Sequence, residues 1–422
     1  MKVAIVGSGI SGLVAAEALH TEHEITLYEK EAYLGGHVHT HSIEQAGKRY
    51  EVDSGFIVFN DRTYPNFVDL LSRHGVAAQP STMSFSVRDE TRDVEYNGTT
   101  LDTLFAQRRN LLRPSFIGMI VDILRFHREA PRILDGSGGD VPLAQILDAG
   151  AYGEAFVRHY IVPMGAAIWS TNPASMMGFP ARFFVRFLAN HGMLSVNDRP
   201  MWRTIRGGSA RYVERIAAAF RNRIRLSTCV ASIERRNGGV LIRAQGCEPE
   251  QYDAVFLACH SDQALALIQD ATAPEREVLS AIPYQRNEAV LHTDARLLPR
   301  RKRAWAAWNY HVASDADAPV ALTYNMNILQ GLDAPEPFLV TLNRTDAIEP
   351  ARIIRRMVYH HPIFTPASVV AQARHAELNG TLRTFYCGAY WLNGFHEDGV
   401  VSAIEAIKHF REWAQSGQRR AA

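Results

Sequence analysis

The first 29 residues restrict this chain more than any later stretch. An apolar run at 2–6 is followed by Gly7-Ser8-Gly9-Ile10-Ser11-Gly12, then by an Ala/Leu-rich segment at 13–19 with helical spacing. A second strand-like run at 24–28 ends on Glu29. A strand, a glycine turn and a helix in this order predict a βαβ unit that binds a dinucleotide. Gly7 makes the tight turn, Gly9 lets the backbone approach a pyrophosphate, and Gly12 packs helix on strand. The helix N-terminus supplies N–H groups and a favourable dipole for phosphate. Glu29 stands where an acid accepts hydrogen bonds from a ribose 2′-hydroxyl, and its charge would repel a 2′-phosphate.

The same apolar start could be mistaken for a secretory signal. Its three glycines and the acids Glu17 and Glu22 that follow argue against one. At 422 residues with 47% hydrophobic content, the chain can bury a large core and should form two interleaved domains. Its 45 basic and 44 acidic residues leave no global field to draw it to nucleic acid, and no nucleic-acid-binding motif is present. The four cysteines lack CxxC spacing. A reducing cytoplasm is therefore expected, with neither disulfides nor zinc. The apolar stretch 116–124 contains Asp122 and is too short to span a bilayer.

Three further strings sharpen the cofactor. Tyr33-Leu34-Gly35-Gly36-His37 and Thr40 follow Glu29, then Val52-Asp53-Ser54-Gly55. Gly207-Gly208-Ser209 lies mid-chain, among strand-like runs at 224–233 and 253–259. Near the end, a strand at 384–387 leads to Gly388-Ala389-Tyr390 and then Gly394-Phe395-His396-Glu397-Asp398-Gly399-Val400, before a helix at 401–413. In this order the strings resemble the flavin amine oxidase superfamily, across nearly the whole chain. The resemblance implies noncovalent FAD on an α/β fold: a Rossmann-like FAD-binding domain of glutathione-reductase type with an inserted α+β substrate domain. It implies cofactor contacts from Gly7, Gly9, Ser11, Gly12, Glu29, Lys30, Gly35, Gly36, His37, Gly55, Gly388, Asp398, Gly399 and Val400. The backbone at Val230 would meet the adenine. The cofactor domain is expected from 1–60, 200–265 and 370–422, and the substrate domain from 61–199 and 266–369.

Gly36-His37-Val38-His39-Thr40, Trp202-Arg203-Thr204-Ile205-Arg206-Gly207-Gly208-Ser209 and the closing motif are also similar to one branch. It comprises bacterial NAD/FAD-binding proteins resembling the N-terminal flavoprotein region of plant cyclopropane fatty acid synthases. That likeness implies a small-molecule or lipid substrate with a modified fatty acyl chain, or a non-catalytic role beside a lipid methyltransferase partner.

The chain departs from the superfamily pattern in several places. Tyr33 and His37 replace two arginines, and no acid follows the closing strand. The lysine expected after Ile282-Pro283 is missing, with Glu288 or Ala289 in its place. His396 stands where an aromatic ring is expected. Ordinary amine or amino-acid oxidation thus becomes the alternative to hydride transfer at a C–H bond. His396 and Glu397 are the candidate proton-handling pair, although His396 could instead only hydrogen-bond the flavin edge. His37, His39 and His41 alternate and would share one face of a strand, too divergent for metal ligation. His360-His361-Pro362 reads as a loop. Trp202-Arg203 and Tyr390-Trp391 are the leading candidates to line a substrate cavity.

Basic and apolar residues mix at 104–134, 179–188 and 296–305. Such segments suit either a core helix with a solvated basic face or peripheral contact with an anionic inner membrane. The first insertion should be mainly helical (65–74, 114–133, 151–161, 181–190). The second contains strand runs at 287–292, 320–326 and 338–342. The polar tail at 415–422 is expected to be disordered.

Overall fold

The computed structural model describes residues 1–135, 140–195, 199–236, 238–313, 315 and 317–421, the side chains of 417–421 excepted. Its central element is a parallel sheet in the order Ile224–Arg225, Glu24–Tyr28, Lys2–Val6, Ala254–Leu257, Thr384–Tyr386. These strands are nearly continuous Val, Ile, Leu and Phe because both faces are covered. The helices Ile10–Leu19 and His396–Ala421 pack on one face. A three-stranded meander, Val230–Arg236, Gly239–Ala244 and Glu250–Tyr252, covers the other. This is the Rossmann-like architecture that the sequence predicts, assembled from three separated stretches of chain.

The run at 224–233 is not one strand. Ile224–Arg225 pairs with Leu27 and Tyr28 in the parallel sheet, and after a turn Val230 pairs with Ala244 in the meander. A buried ion pair fastens the meander to the sheet. Arg235 and Glu275, with side chains 1% and 0% exposed, bond at 2.5 Å. Tyr386 Oη donates to the same carboxylate.

Beside the hairpin Thr40–Gln45/Lys48–Asp53 and a small sheet of Val58–Asn60, Trp202–Ile205 and Ala78–Pro80, the rest of the chain forms a seven-stranded mixed sheet beneath a helical layer. Its order is Ile353–Pro362, Tyr284–His292, Leu339–Leu342, Leu322–Asn325, Trp308–His311, Phe85–Asp89, Val94–Asn97. The last two strands come from the first insertion, expected to be mainly helical. They are only five and four residues long and do not alternate buried with exposed residues, so no strand period stands out. His360 and His361 lie in the edge strand Ile353–Pro362 rather than in a loop. The predicted helix at 114–133 breaks into Pro114–Glu129 and Pro131–Asp135, because Pro131 has no N–H to continue the ladder. That at 151–161 is a short turn, Glu154–Phe156, and a π-turn, Val157–Ile161, leading into Val162–Trp169. The helix His396–Ala421 runs through 415–421, where a disordered tail is expected; Ala422 lies outside the described residues.

Candidate flavin site and active centre

The glycine turn divides its labour sterically. A methyl on Gly12 would lie 1.9 Å from Gly7 O, and one on Gly7 2.6 Å from Ala258 O. One on Gly9 would meet nothing within 4 Å. Two glycines therefore close the packing, and the third faces open space. Gly9 is also the N-cap of the helix Ile10–Leu19, which has no capping side chain and no acid in its first turn. Its first N–H groups thus point at that space without a partner, as an anion site requires. Gly36, at φ 61°, crosses over Gly9, with its missing methyl only 3.3 Å from Gly9 Cα.

Glu29 is buried at the end of its strand. It accepts hydrogen bonds from Ser8 N (3.0 Å), Ser8 Oγ (2.5 Å) and Glu31 N (2.9 Å). Gly35 N in turn donates to Ser8 O and Ser8 Oγ, at 3.1 and 3.2 Å. Acid, turn and glycine pair therefore form one hydrogen-bonded unit. Thr228 N donates to Glu29 O, which sets Val230 beside the ribose end. Lys30 is exposed and lies 3.7 Å from Glu31.

The C-terminal helix meets the first helix at this unit. Ser11 Oγ donates to Gly399 O at 2.8 Å, and a methyl on Gly399 would lie 2.6 Å from Ile10. Val400 is buried beside this contact, and Gly388 N donates to Ser402 Oγ of the same helix. Asp398 receives Phe395 N and Asn393 Nδ2, capping its own helix, and burial pushes its carboxyl up to about 6. Gly55 presses on the His37 carbonyl, 1.9 Å from where its own methyl would be.

A second knot lies next to it. Asp53 receives Thr40 Oγ1, Ser209 N, Ser209 Oγ and Gln330 Nε2. It ties the hairpin Thr40–Gln45/Lys48–Asp53 to the Gly207-Gly208 turn and to the substrate side. Burial raises its carboxyl to about 6 as well. A methyl on Gly208 (φ 93°) would strike Thr40 at 2.4 Å, so this turn needs glycine on two counts.

Several side chains are surrounded by protein yet keep accessible surface, which places them on the wall of an internal space. They are His37, His260, Tyr284, His361 and His396, and Tyr324 on the substrate side. His37 is ringed by Tyr359 (5.1 Å between centroids), His361 (5.5 Å) and His260 (5.8 Å). Burial, reinforced by mutual repulsion, lowers His37 to about 4 and His260 and His361 to about 3. At neutral pH these rings are uncharged.

The three histidines of the first loop do not all share a face. The strand begins only at Thr40, so His37 turns inward, while His39 stacks between Tyr33 and His41 at 4.2 and 4.1 Å. Among the described residues no group of three or more His, Cys, Asp or Glu could hold a metal.

The candidate proton pair is not assembled. Glu397 caps the helix Pro65–Arg73, accepting Asn66 N, Asn66 Nδ2 and Phe67 N at 3.0, 2.6 and 2.9 Å. Its carboxylate is taken up by that task, which corrects the expectation of a general acid or base. His396 stacks on Phe56 (3.5 Å, 14°) and shares a 2.9 Å hydrogen bond with Tyr212 Oη. Burial drives its pKa well below 6.5, away from the value that a base at neutral pH wants. His396 therefore stands on the wall as a neutral ring bonded to Tyr212.

At the position expected for lysine, Glu288 receives Thr345 Oγ1 and Ala289 is wholly buried in the sheet. The inward polar group is Asn287, whose Nδ2 donates to Ser170 O and contacts His361 Nδ1, both at 2.9 Å. All five lysines in the sequence (Lys2, Lys30, Lys48, Lys302, Lys408) are partly or fully exposed. Trp202 stacks with His191, and Tyr390 and Trp391 are core residues. His260, Tyr359 and Asn287 were not singled out as site residues in the sequence, and His361 was read only as part of a loop. Only His260 carried a signal: it follows the strand Ala254–Leu257 at the carboxyl edge, where ligands of such sheets bind.

An acid-terminated βαβ unit, an uncapped glycine turn and a second helix N-terminus converging on an enclosed space define an FAD-dependent oxidoreductase. The donor set fits the cofactor, with free N–H groups for the pyrophosphate and Glu29 for the ribose. All four cysteines are free, and Cys387 is sealed in the core, in keeping with noncovalent FAD. The profile of the flavin containing amine oxidoreductase family matches residues 10–294, and the chain belongs to that family. A CLA-producing fatty acid isomerase from P. acnes has the same fold (TM-score 0.69, 16% identity, 97% of this chain and 98% of that one). So does cyclohexylamine oxidase from Brevibacterium oxydans IH-35A (0.69, 15%, 97% and 99%). Carotenoid phi-ring synthase of Chlorobaculum tepidum is 32% identical over 102 residues, a match spanning 24% of this chain and 16% of that protein.

Proposed function

We propose that the protein moves a hydride between flavin N5 and a C–H bond of an apolar, acyl-type substrate. The observation that carries this reading is the internal wall, which passes from neutral histidines to aromatic residues and holds no lysine. Tyr324 packs edge-on to Trp308 (5.2 Å), and Phe183 stacks on Phe364 (4.8 Å). Trp169 Nε1 donates to Asn393 O, fastening the aromatic layer to the loop that precedes the closing helix. Such a wall offers dispersion contacts to a chain of methylenes, and among the residues named on it none is charged at neutral pH.

Bound FAD supplies the two-electron chemistry. The chain's own residues position and desolvate. Tyr212 and Phe56 fix the His396 ring, which burial keeps neutral, and Asn287 holds the His361 ring through Nδ1. The fold shared with the fatty acid isomerase and the short likeness to carotenoid phi-ring synthase agree with an apolar substrate.

The test is anaerobic mixing of the flavin-loaded protein with phospholipids bearing unsaturated, methylated or cyclopropane chains, followed by flavin absorbance. Bleaching or spectral perturbation by an acyl chain, and none by a panel of amines and amino acids, is expected. Bleaching by amines alone would overturn the proposal in favour of amine oxidation.

A further inference from the structure

A helix on the surface of a soluble protein normally turns polar residues outward. The helix Pro114–Glu129 does not. Its inner face buries Phe116, Met119 and Phe126, while its outer face shows Ile117, Val121 (58% exposed) and Leu124 (57%). The turn before it adds Leu111 and Leu112, the latter 87% exposed, and Leu101 lies close by at 77%. Six of the fourteen exposed large apolar side chains among the described residues fall in this one stretch. Contiguous exposed apolar surface of this kind marks an interaction site.

Its rim is basic. Arg108, Arg109 and Arg113 project from the turn. Arg301, Lys302 and Arg303 stand beside them, because Arg108 and Arg303 both bond Asp102 Oδ1. Against these six cations stand three carboxylates, Asp93, Asp102 and the buried Glu95. In a chain of formal net charge +1, this is a local concentration rather than a global bias. The third basic-aromatic segment, 179–188, does not contribute to the patch. Phe184 and Phe187 are core, and Phe183 packs on Phe364.

We propose that the turn Arg108–Leu112 and the helix Pro114–Glu129 dock on an anionic phospholipid bilayer, the apolar stripe entering the interface and the cations meeting headgroup phosphates. The stripe lies along a helix ~24 Å long, parallel to the surface it would enter. A second copy of the chain fits less well, because self-association would set one basic rim against another. This inference does not depend on the substrate proposed above.

The full-length, flavin-loaded protein should co-sediment with vesicles of phosphatidylcholine containing phosphatidylglycerol, and much less with phosphatidylcholine alone. Added salt should weaken the binding. Arg109→Gln and Lys302→Gln should each lower partitioning about fivefold, from ~1 kcal/mol per charge at an anionic surface. Leu112→Glu with Val121→Glu should lower it more than tenfold, with the flavin spectrum unchanged, since neither side chain touches the site. Absence of binding to anionic vesicles at low salt would overturn the proposal. So would equal binding to both vesicle types, or lipid-free dimerisation in sedimentation velocity that Leu112→Glu abolishes.

Discussion

Replacing Glu29 by Gln isolates the adenosine end of the site. The carboxylate accepts three protein hydrogen bonds, two at Oε2 and one at Oε1, which leaves one lone pair of Oε1 for a ribose hydroxyl. Gln keeps the shape and loses the charge, and its amide NH2 must face a donor, either Ser8 or Glu31. A hydrogen bond to a charged acceptor contributes about 1.5–3 kcal/mol. A neutral acceptor keeps about 0.5–1.5 kcal/mol of this, so losing the charge assistance toward the ribose should weaken FAD binding roughly 5- to 12-fold, at 1.4 kcal/mol per tenfold. FMN, which lacks the adenosine, tests the cause. In fluorescence titrations of apoprotein, FMN affinity should stay within about twofold of wild type, far inside the tenfold step. An equal loss for FMN and FAD would mean that the mutation damages the turn, and unchanged FAD affinity would mean that Glu29 does not hold the ribose.

Three other outcomes follow from the same geometry. Gly9→Ala should yield folded protein with little bound flavin, whereas Gly12→Ala should fail to accumulate as folded protein, since its methyl would sit 1.9 Å from Gly7 O; flavin content and circular dichroism separate the two. Arg235→Met strands the buried Glu275 carboxylate and should cost about 3–5 kcal/mol in denaturant unfolding, while adding Glu275→Leu should recover much of that loss; no recovery would show that packing, not charge, matters there. The apoprotein should lose stability as pH falls from 6.5 toward 4. His37, His260, His361 and His396 have folded pKa values below 6.5, so their contribution is present above 6.5 and lost below it. Asp53 and Asp398, raised to about 6, work the other way, stabilising most below 3.8 and losing that contribution as pH rises through 6. His41, His191, His292, His311 and His375, each lowered to about 4, add to these four, so the histidine protons outnumber the two carboxyl protons and stability falls with pH near pH 5. A denaturation midpoint that is flat or rises between pH 6.5 and 5 would refute this balance.

What could be read from the sequence was local. Gly7, Gly9 and Gly12 act through contacts within a few residues of a strand–turn–helix, and Glu29 ends the very next strand, so their spacing alone predicts the nucleotide unit. The order of the later glycine motifs extends this to the flavin, since each sits at a similar strand–helix junction. The chemistry of the wall was not local. His37, His260, His361 and Asn287 lie on four different segments, and only the packing of the two sheets brings them together. Whether a histidine is a base or a neutral ring depends on how much water surrounds it, and no spacing encodes that. Glu397 illustrates the same point: adjacent to His396 in sequence, it is turned by helix geometry to cap Pro65–Arg73 instead. For Pro114–Glu129 the sequence left a core helix and a membrane contact both open, because it shows that Ile117, Val121 and Leu124 share a side but not that none of the described residues covers it.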